Sequence, residues 1–426
     1  MSRELPKSLN ICFIAKRFPI LGRAADHGFL WPIAKGLTAC GHKVSVLSWK
    51  NPQAKREIDQ DNVKAYFLGE IFARNERDFP FLVKEKFQQL HSREPFHIVH
   101  SIDANGIEIG KEHKKFRVAM MYDIEATEMS QLYSILAMAQ DNPGSLIRAG
   151  AAVVYKFLST YFAKDRKLLS TADGMFVTSP QQKLLLERHY LYPDLKTFVI
   201  PYGLEVGELS PREKNEELKQ SLKLPPNAQT IVTNTDMNEF SEIKNLLHAF
   251  EKVAIKKPNT RLIIVGNGPV YKQVEFEMLN LALGSRVIFV GSVKNSELPD
   301  YISLADVYVD LSSRTSGFEP SLIEAMVQKK VIIGSELSPI STIVENGKNG
   351  FLIRPADVSM LAKLFMKIFT DEVPNDEIGE KAHLKVMNIF NTQKMVELTL
   401  KAYKETLENT GYYGAWLKKL VNNMVH

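Results

Sequence analysis

The chain has 426 residues, 45% hydrophobic and 24% charged, too many for one ordinary core and enough for two domains of about 200 residues each. A formal charge of +5, from 54 basic and 49 acidic side chains, is too mild for a nucleic-acid-binding protein and suits an anionic ligand or a membrane surface. Two cysteines, Cys12 in an apolar strand and Cys40 late in a helix, argue against a disulfide framework and for a reducing, cytoplasmic compartment.

In chain order, LNICFIA (9–15) reads as a strand, followed by the loop RFPILGRAADHG and a helix over FLWPIAKGLTACG. The apolar run before Lys16 is too short for a signal sequence, and no stretch approaches the roughly 18 apolar residues of a membrane span. HKVSVLSW (42–49), FHIVHSID (96–103) and FRVAMMYD (116–123) are further predicted strands, separated by helical or loop material. From Glu125 to Thr171 the pattern is helical for longer than a crossover needs. Its 146–169 part mixes Arg148, Lys156, Lys164, Arg166 and Lys167 with Tyr155, Phe157, Tyr161 and Phe162, as a lipid or acceptor surface would, or a helix pair lying on the body. ADGMFVTSPQQKLLLERHY supplies a strand and a helix, and TFVIPYGLE (197–205) a last strand ending at Pro201 and Gly203. The charged run that follows marks a domain boundary near 200–210.

The second half alternates strands (QTIVTNT, TRLIIVGNG, RVIFVG, DVYVDLSS, KVIIGS) with helices. Apolar runs alternating with helices predict parallel sheets covered on both faces. The expected fold class is therefore α/β, with two doubly wound, Rossmann-like domains. Ligands of such sheets lie beyond the carboxyl ends of the strands, so two domains facing across a cleft would trap one between them. The tail is helical, with Trp416, Leu417, Leu420, Val421 and Met424 on one face, as expected of a docked helix or of a membrane foothold.

IPYGLE, VGNGP, ELPDYISLADVYVDLSSR, GFEPSLIEAM and VENGKNGFLI occur in the order and spacing of the retaining glycosyltransferases of family 4, which have the GT-B fold, and the resemblance covers nearly the whole chain. It implies an N-terminal acceptor domain (1–203), a C-terminal domain for a nucleoside diphosphate sugar (204–395), and helices over 396–426 that cross back to the first domain. It also implies transfer with retention to a glycan, lipid or small-molecule acceptor, with no cofactor besides the donor substrate and no metal. Breaking the anomeric bond leaves an oxocarbenium-like sugar and a diphosphate gaining charge, which cations or helix N-termini must meet.

Carried onto this chain, the resemblance assigns Glu324 to the ribose hydroxyls, and Gly317 and Phe318 to backbone contact with the sugar. Arg314 matches an arginine common in that loop. The family's sugar-binding acid is replaced by Ser316, and a neighbouring glycine by Glu319, which either takes over the sugar contact or only supports the helix dipole. The Arg and Lys that usually face the diphosphate fall on Asp236 and Ser241, in a segment that also carries Glu239 and Glu242; Lys244, Lys16, Arg17 and Arg23 are the candidate replacements. Gly266, Gly268 and Pro269 match the turn near the diphosphate and base, and Gly291 and Val293 the strand end that meets the base. In the first loop Gly28 and His27 stand near the donor phosphates, where the family often has paired glycines and this chain has Ala24 and Ala25. His100 matches an acceptor-side histidine, Tyr122 replaces a histidine that contacts the donor sugar, and Asp123 and Asp103 lie at strand ends where acceptor hydroxyls would bind. The expected function is a cytoplasmic glycosyltransferase, at the inner face of a membrane if it makes peripheral contact there. Its rival is a non-catalytic GT-B homologue that binds a sugar nucleotide, a glycan or a partner subunit.

Overall fold

A computed structural model of the chain describes residues 6–18, 30–51, 55–69, 76–124, 127–137, 143–160, 163–203, 210–294, 296–312, 320–337 and 340–412. They form two compact units, one of Met1–Met129, Ser159–Leu204 and Phe390–His426, the other of Ser130–Leu158 and Glu205–Ile389.

The first unit contains β1 (Asn10–Ile14), β2 (Lys43–Ser48), β3 (Glu57–Gln60), β4 (Val63–Phe67), β5 (Ile98–Ile102), β6 (Ala119–Asp123), β7 (Gly174–Val177) and β8 (Thr197–Val199). They join in the order β3-β4-β2-β1-β5-β6-β7-β8, parallel throughout except for β3 against β4. Every residue of β1, β5, β6 and β7 is buried, as parallel strands covered on both faces must be. The β3–β4 hairpin departs from the helical or loop material expected between β2 and β5. Asp61 and Asn62 both take positive φ, 51° and 63°, the requirement of a tight two-residue hairpin turn.

The helix Thr392–Thr410 closes this unit. The Asn391 side chain caps its start, Gly411 ends it at φ 70°, and Met395, Val396, Thr399, Ala402, Tyr403, Thr406 and Leu407 form its buried stripe. That i, i+4, i+7 spacing is what docks a helix along one face.

The second unit contains β9 (Gln229–Asn234), β10 (Thr260–Val265), β11 (Val287–Gly291), β12 (Val307–Asp310), β13 (Val331–Ser335) and β14 (Phe351–Ile353). All are parallel, in the order β11-β10-β9-β12-β13-β14. One core, including Leu247, Phe250, Ile264, Val309, Ile333 and Phe365, joins this sheet to its helices. Chain order reverses between β9 and β12, because successive strands are laid outward from β9 in one direction and from β12 in the other.

Candidate functional site

In an open α/β sheet the connections leave neighbouring strands on opposite faces at the point of reversal, opening a crevice at the carboxyl ends. Between β9 and β12 this crevice is lined by Thr233, Asn234, Thr235, Glu242, Ile243, Leu246, Asp310, Leu311 and Ser312. The first unit reverses in the same way between β1 and β5, where Lys16 and Arg17 follow β1 with exposed side chains. A cavity of about 880 Å³ lies at the opposite, amino ends of β9, β12 and β13, among Thr230, Asp306, Lys330 and Val331, and none of the predicted site residues lines it.

The loop from β9 to the helix Phe240–Lys256 is built by its own polar groups. The Met237 N–H donates to Thr235 Oγ1 (3.0 Å) and the Asn238 N–H to Asp236 Oδ1 (3.3 Å), while Met237 takes φ 47° with its side chain in the core. Asp236, standing where the resemblance expects an arginine, thus has a local use as a turn former. The turn after β10 lies directly on this loop. A Cβ on Gly266 would be 1.8 Å from the Thr235 carbonyl oxygen, and one on Gly268 would be 1.8 Å from that of Asp236. The Gly266 N–H donates to the Gly291 carbonyl (2.8 Å) and the Val270 N–H to that of Met237 (3.2 Å). Both glycines therefore have a structural reason within the unit, the close approach of two backbones. Pro269 is exposed and Val293 half-buried.

The electrostatics of the crevice are mixed. Glu242 and Asp310 line it, and a carboxylate about 4 Å from another anion repels it by about 4 kcal/mol at an effective dielectric of 20. Against this stands the helix Phe240–Lys256. Its N-cap residue, Glu239, makes no side-chain cap, as is also true of Asp78, Val270 and Glu297 at their helices. The first N–H groups of a helix favour an anion, and the first turn of this one also carries Glu242. Lys244 is exposed on this helix with its ammonium 5.9 Å from the centre of the Phe240 ring. Asp310 also accepts from the Ser312 N–H (3.0 Å); its position at a strand end, in DVYVDLSS, was the signal for it.

Beyond β12, Arg314, Ser316, Gly317, Phe318 and Glu319 lie outside the described residues, as do His27 and Gly28. Glu324 lies on the helix Pro320–Val327 and is only 3% exposed. A carboxylate at that depth is costly unless hydrogen bonds meet it.

In the first unit the structure corrects three expectations. Tyr122 is fully buried among Ile109, Leu168 and Tyr192, with its hydroxyl 3.0 Å from Thr171 Oγ1. It is a core residue, not a contact for a donor sugar. His100 is 1% exposed, stacked on Phe13 with centroids 4.7 Å apart, and its Nδ1 is hydrogen-bonded to the Tyr403 hydroxyl at 2.6 Å. Burial pushes its imidazole down to about 3, so it is neutral near pH 7 and unsuited to proton transfer with an acceptor. Asp123 is 3% exposed and accepts from the Tyr202 hydroxyl (2.9 Å). All three are buried side chains of β5 and β6, whereas Asp103, just after β5, is half-buried. Tyr403, which no motif marks, is the partner that sequence reasoning missed.

Residues 214–385 match the family model described as glycosyl transferases group 1. Among curated relatives, the N-acetyl-alpha-D-glucosaminyl L-malate synthase of Bacillus anthracis is 23% identical over 233 residues, 55% of this chain and 60% of the relative. The chain thus spans less than two thirds of that relative's length. Among solved structures, the sucrose-phosphate synthase of Thermosynechococcus elongatus superposes with a TM-score of 0.74 at 19% identity, covering 94% of this chain and 100% of that one. HepE from Anabaena in complex with UDP and glucose superposes with a TM-score of 0.65 at 16% identity, covering 93% and 99%. These likenesses carry the GT-B fold. The match to the glycosyl transferases group 1 model spans the second sheet and the crevice at its reversal.

Proposed function

We propose that the protein is a retaining, metal-independent glycosyltransferase that moves a sugar from a nucleoside diphosphate to a cell-envelope or small-molecule acceptor at the cytoplasmic face of a membrane. The observation that carries this reading is the β9/β12 crevice, with the N-terminus of the helix Phe240–Lys256 opening into it without a side-chain cap. Backbone N–H groups aimed at a diphosphate stabilise its growing charge without a cation. HepE, of the same fold, binds UDP and glucose, and Glu324 on the helix after β12 is the group to accept from ribose hydroxyls.

The acids at this crevice favour a second reading, in which the nucleotide pocket binds without turnover. A panel of UDP, GDP and ADP sugars separates the two. A ligand at a hundred times its dissociation constant stabilises the native state by about 2.7 kcal/mol, and nucleotide release reports transfer. Stabilisation with release supports the enzyme, stabilisation without release the binder, and neither reading survives the absence of any shift at millimolar ligand. Glu324→Gln is expected to weaken the effective ligand by roughly tenfold to a hundredfold, since hydrogen bonds to a charged group contribute about 1.5–3 kcal/mol. Unchanged affinity in that variant would remove Glu324 from the site.

A further inference from the structure

We propose that the helix Pro143–Thr160 is a docking surface for an anionic lipid bilayer. It rests on the membrane-face part of the function proposed above and gives that reading a surface. Along this helix of 18 residues, Ile147 is 71% exposed, Val154 57% and Tyr155 76%. With the exposed Ala151 they follow i, i+4, i+7, i+8 spacing and so share one face. Gly150 borders that face, and a Cβ built on it meets nothing within 4 Å among the described residues. Single exposed apolar side chains are ordinary, whereas a continuous stripe needs an occupant.

Charge selects the occupant. Between Pro143 and Thr160 there is no acid, while Arg148 and Lys156 are cationic. Arg148 Nε donates to the Gly144 carbonyl (3.2 Å), which holds the guanidinium along the helix. Exposed apolar side chains, a tyrosine on the same face and a basic, acid-free helix sequence are the composition of a helix lying in a lipid interface. No helix among the described residues is long and apolar enough to cross a membrane, so this one would lie on the surface.

The test is sedimentation of the full chain with phosphatidylcholine vesicles, with and without phosphatidylglycerol. Wild type should bind the anionic vesicles and lose that binding as salt is raised. The double variant Ile147→Glu, Val154→Glu should partition at least about tenfold less, with unchanged melting and unchanged stabilisation by nucleotide sugars. Should that variant fail to fold, Arg148→Glu, at a side chain already exposed, should still reduce the salt-dependent part of binding. Equal binding to neutral and anionic vesicles, or wild-type partitioning by a folded variant, overturns the proposal. So does a wild-type dimer that the double variant dissociates, because the face would then belong to a second copy. Nucleotide-sugar stabilisation is read in the same samples, so loss of the membrane surface and loss of the nucleotide site are distinguishable.

Discussion

Alanine at Gly266 would press a methyl group into the Thr235 carbonyl oxygen at 1.8 Å and impose a side chain on a backbone at φ +113°. The strained φ costs roughly 1–2 kcal/mol and the overpacking roughly 1–3 kcal/mol, about 2–5 kcal/mol together. Gly284 is the control, because it has φ +53° with nothing within 4 Å of a Cβ and should lose only the φ component. Gly268, whose Cβ would be 1.8 Å from the Asp236 carbonyl oxygen without a left-handed φ, should show the clash alone. For a unit of this size the Gly266→Ala loss corresponds to a fall of roughly 4–20 °C in melting. Trp31, Trp49 and Trp416 all lie outside residues 205–389. Far-UV circular dichroism should therefore show an early transition in the variant, while tryptophan fluorescence melts as in wild type. The packing argument is refuted if Gly266→Ala is no more destabilising than Gly284→Ala. It is equally refuted if Gly268→Ala melts normally yet loses nucleotide-sugar binding, which would give that glycine to the ligand instead.

Burial first, and the Lys214 charge second, push the Lys330 amine down to about 8. The folded state then binds fewer protons than the unfolded chain between about pH 8 and the ordinary lysine value near 10.4, so stability should climb with pH across that window. Lys330→Met should be about 1–3 kcal/mol more stable than wild type near neutral pH, with the gap closing towards about pH 10; a gap of constant size in urea titrations contradicts this. Tyr403→Phe removes the hydroxyl bonded to His100 Nδ1 and should cost about 1–3 kcal/mol, lowering the tryptophan-fluorescence midpoint of the first unit. A loss below about 0.5 kcal/mol would mean that the imidazole finds another partner.

The parallel strands were legible because burial on both faces leaves a continuous apolar run. IVHSI and AMMYD are buried at every position, and the pattern says so before any contact is known. The edge strand β3, EIDQ, is half-exposed at best and has no apolar run, so only the Asp61–Asn62 pair marked its turn. In VGNGP the sequence shows that close backbone approach is needed, but not what approaches; the structure supplies the loop Thr235–Met237. The corrections at His100 and Tyr122 have a common cause. A motif places a side chain at a strand end, whereas its exposure depends on partners far along the chain: Tyr403 is 303 residues from His100, and Thr171 is 49 from Tyr122.

The same distinction bears on the altered loop at Asp236. Read by side chains, the replacement of an arginine and a lysine by Asp236 and Ser241 removes the groups that would answer a diphosphate. Read by backbone, the Asp236 carboxylate serves the turn that lets Met237 reach the core, and that turn delivers the helix Phe240–Lys256 with no side-chain cap into the crevice. A helix N-terminus carries roughly half a positive charge and several N–H donors. It can replace the geometry of an arginine fork but not its full charge. Glu242 and Asp310 at the same crevice reduce what remains. A donor site built in this way can orient a nucleotide while giving its leaving diphosphate weaker help than a cationic site would. That is why the choice between turnover and binding depends on the balance of backbone dipoles against two carboxylates, which a motif alone does not contain.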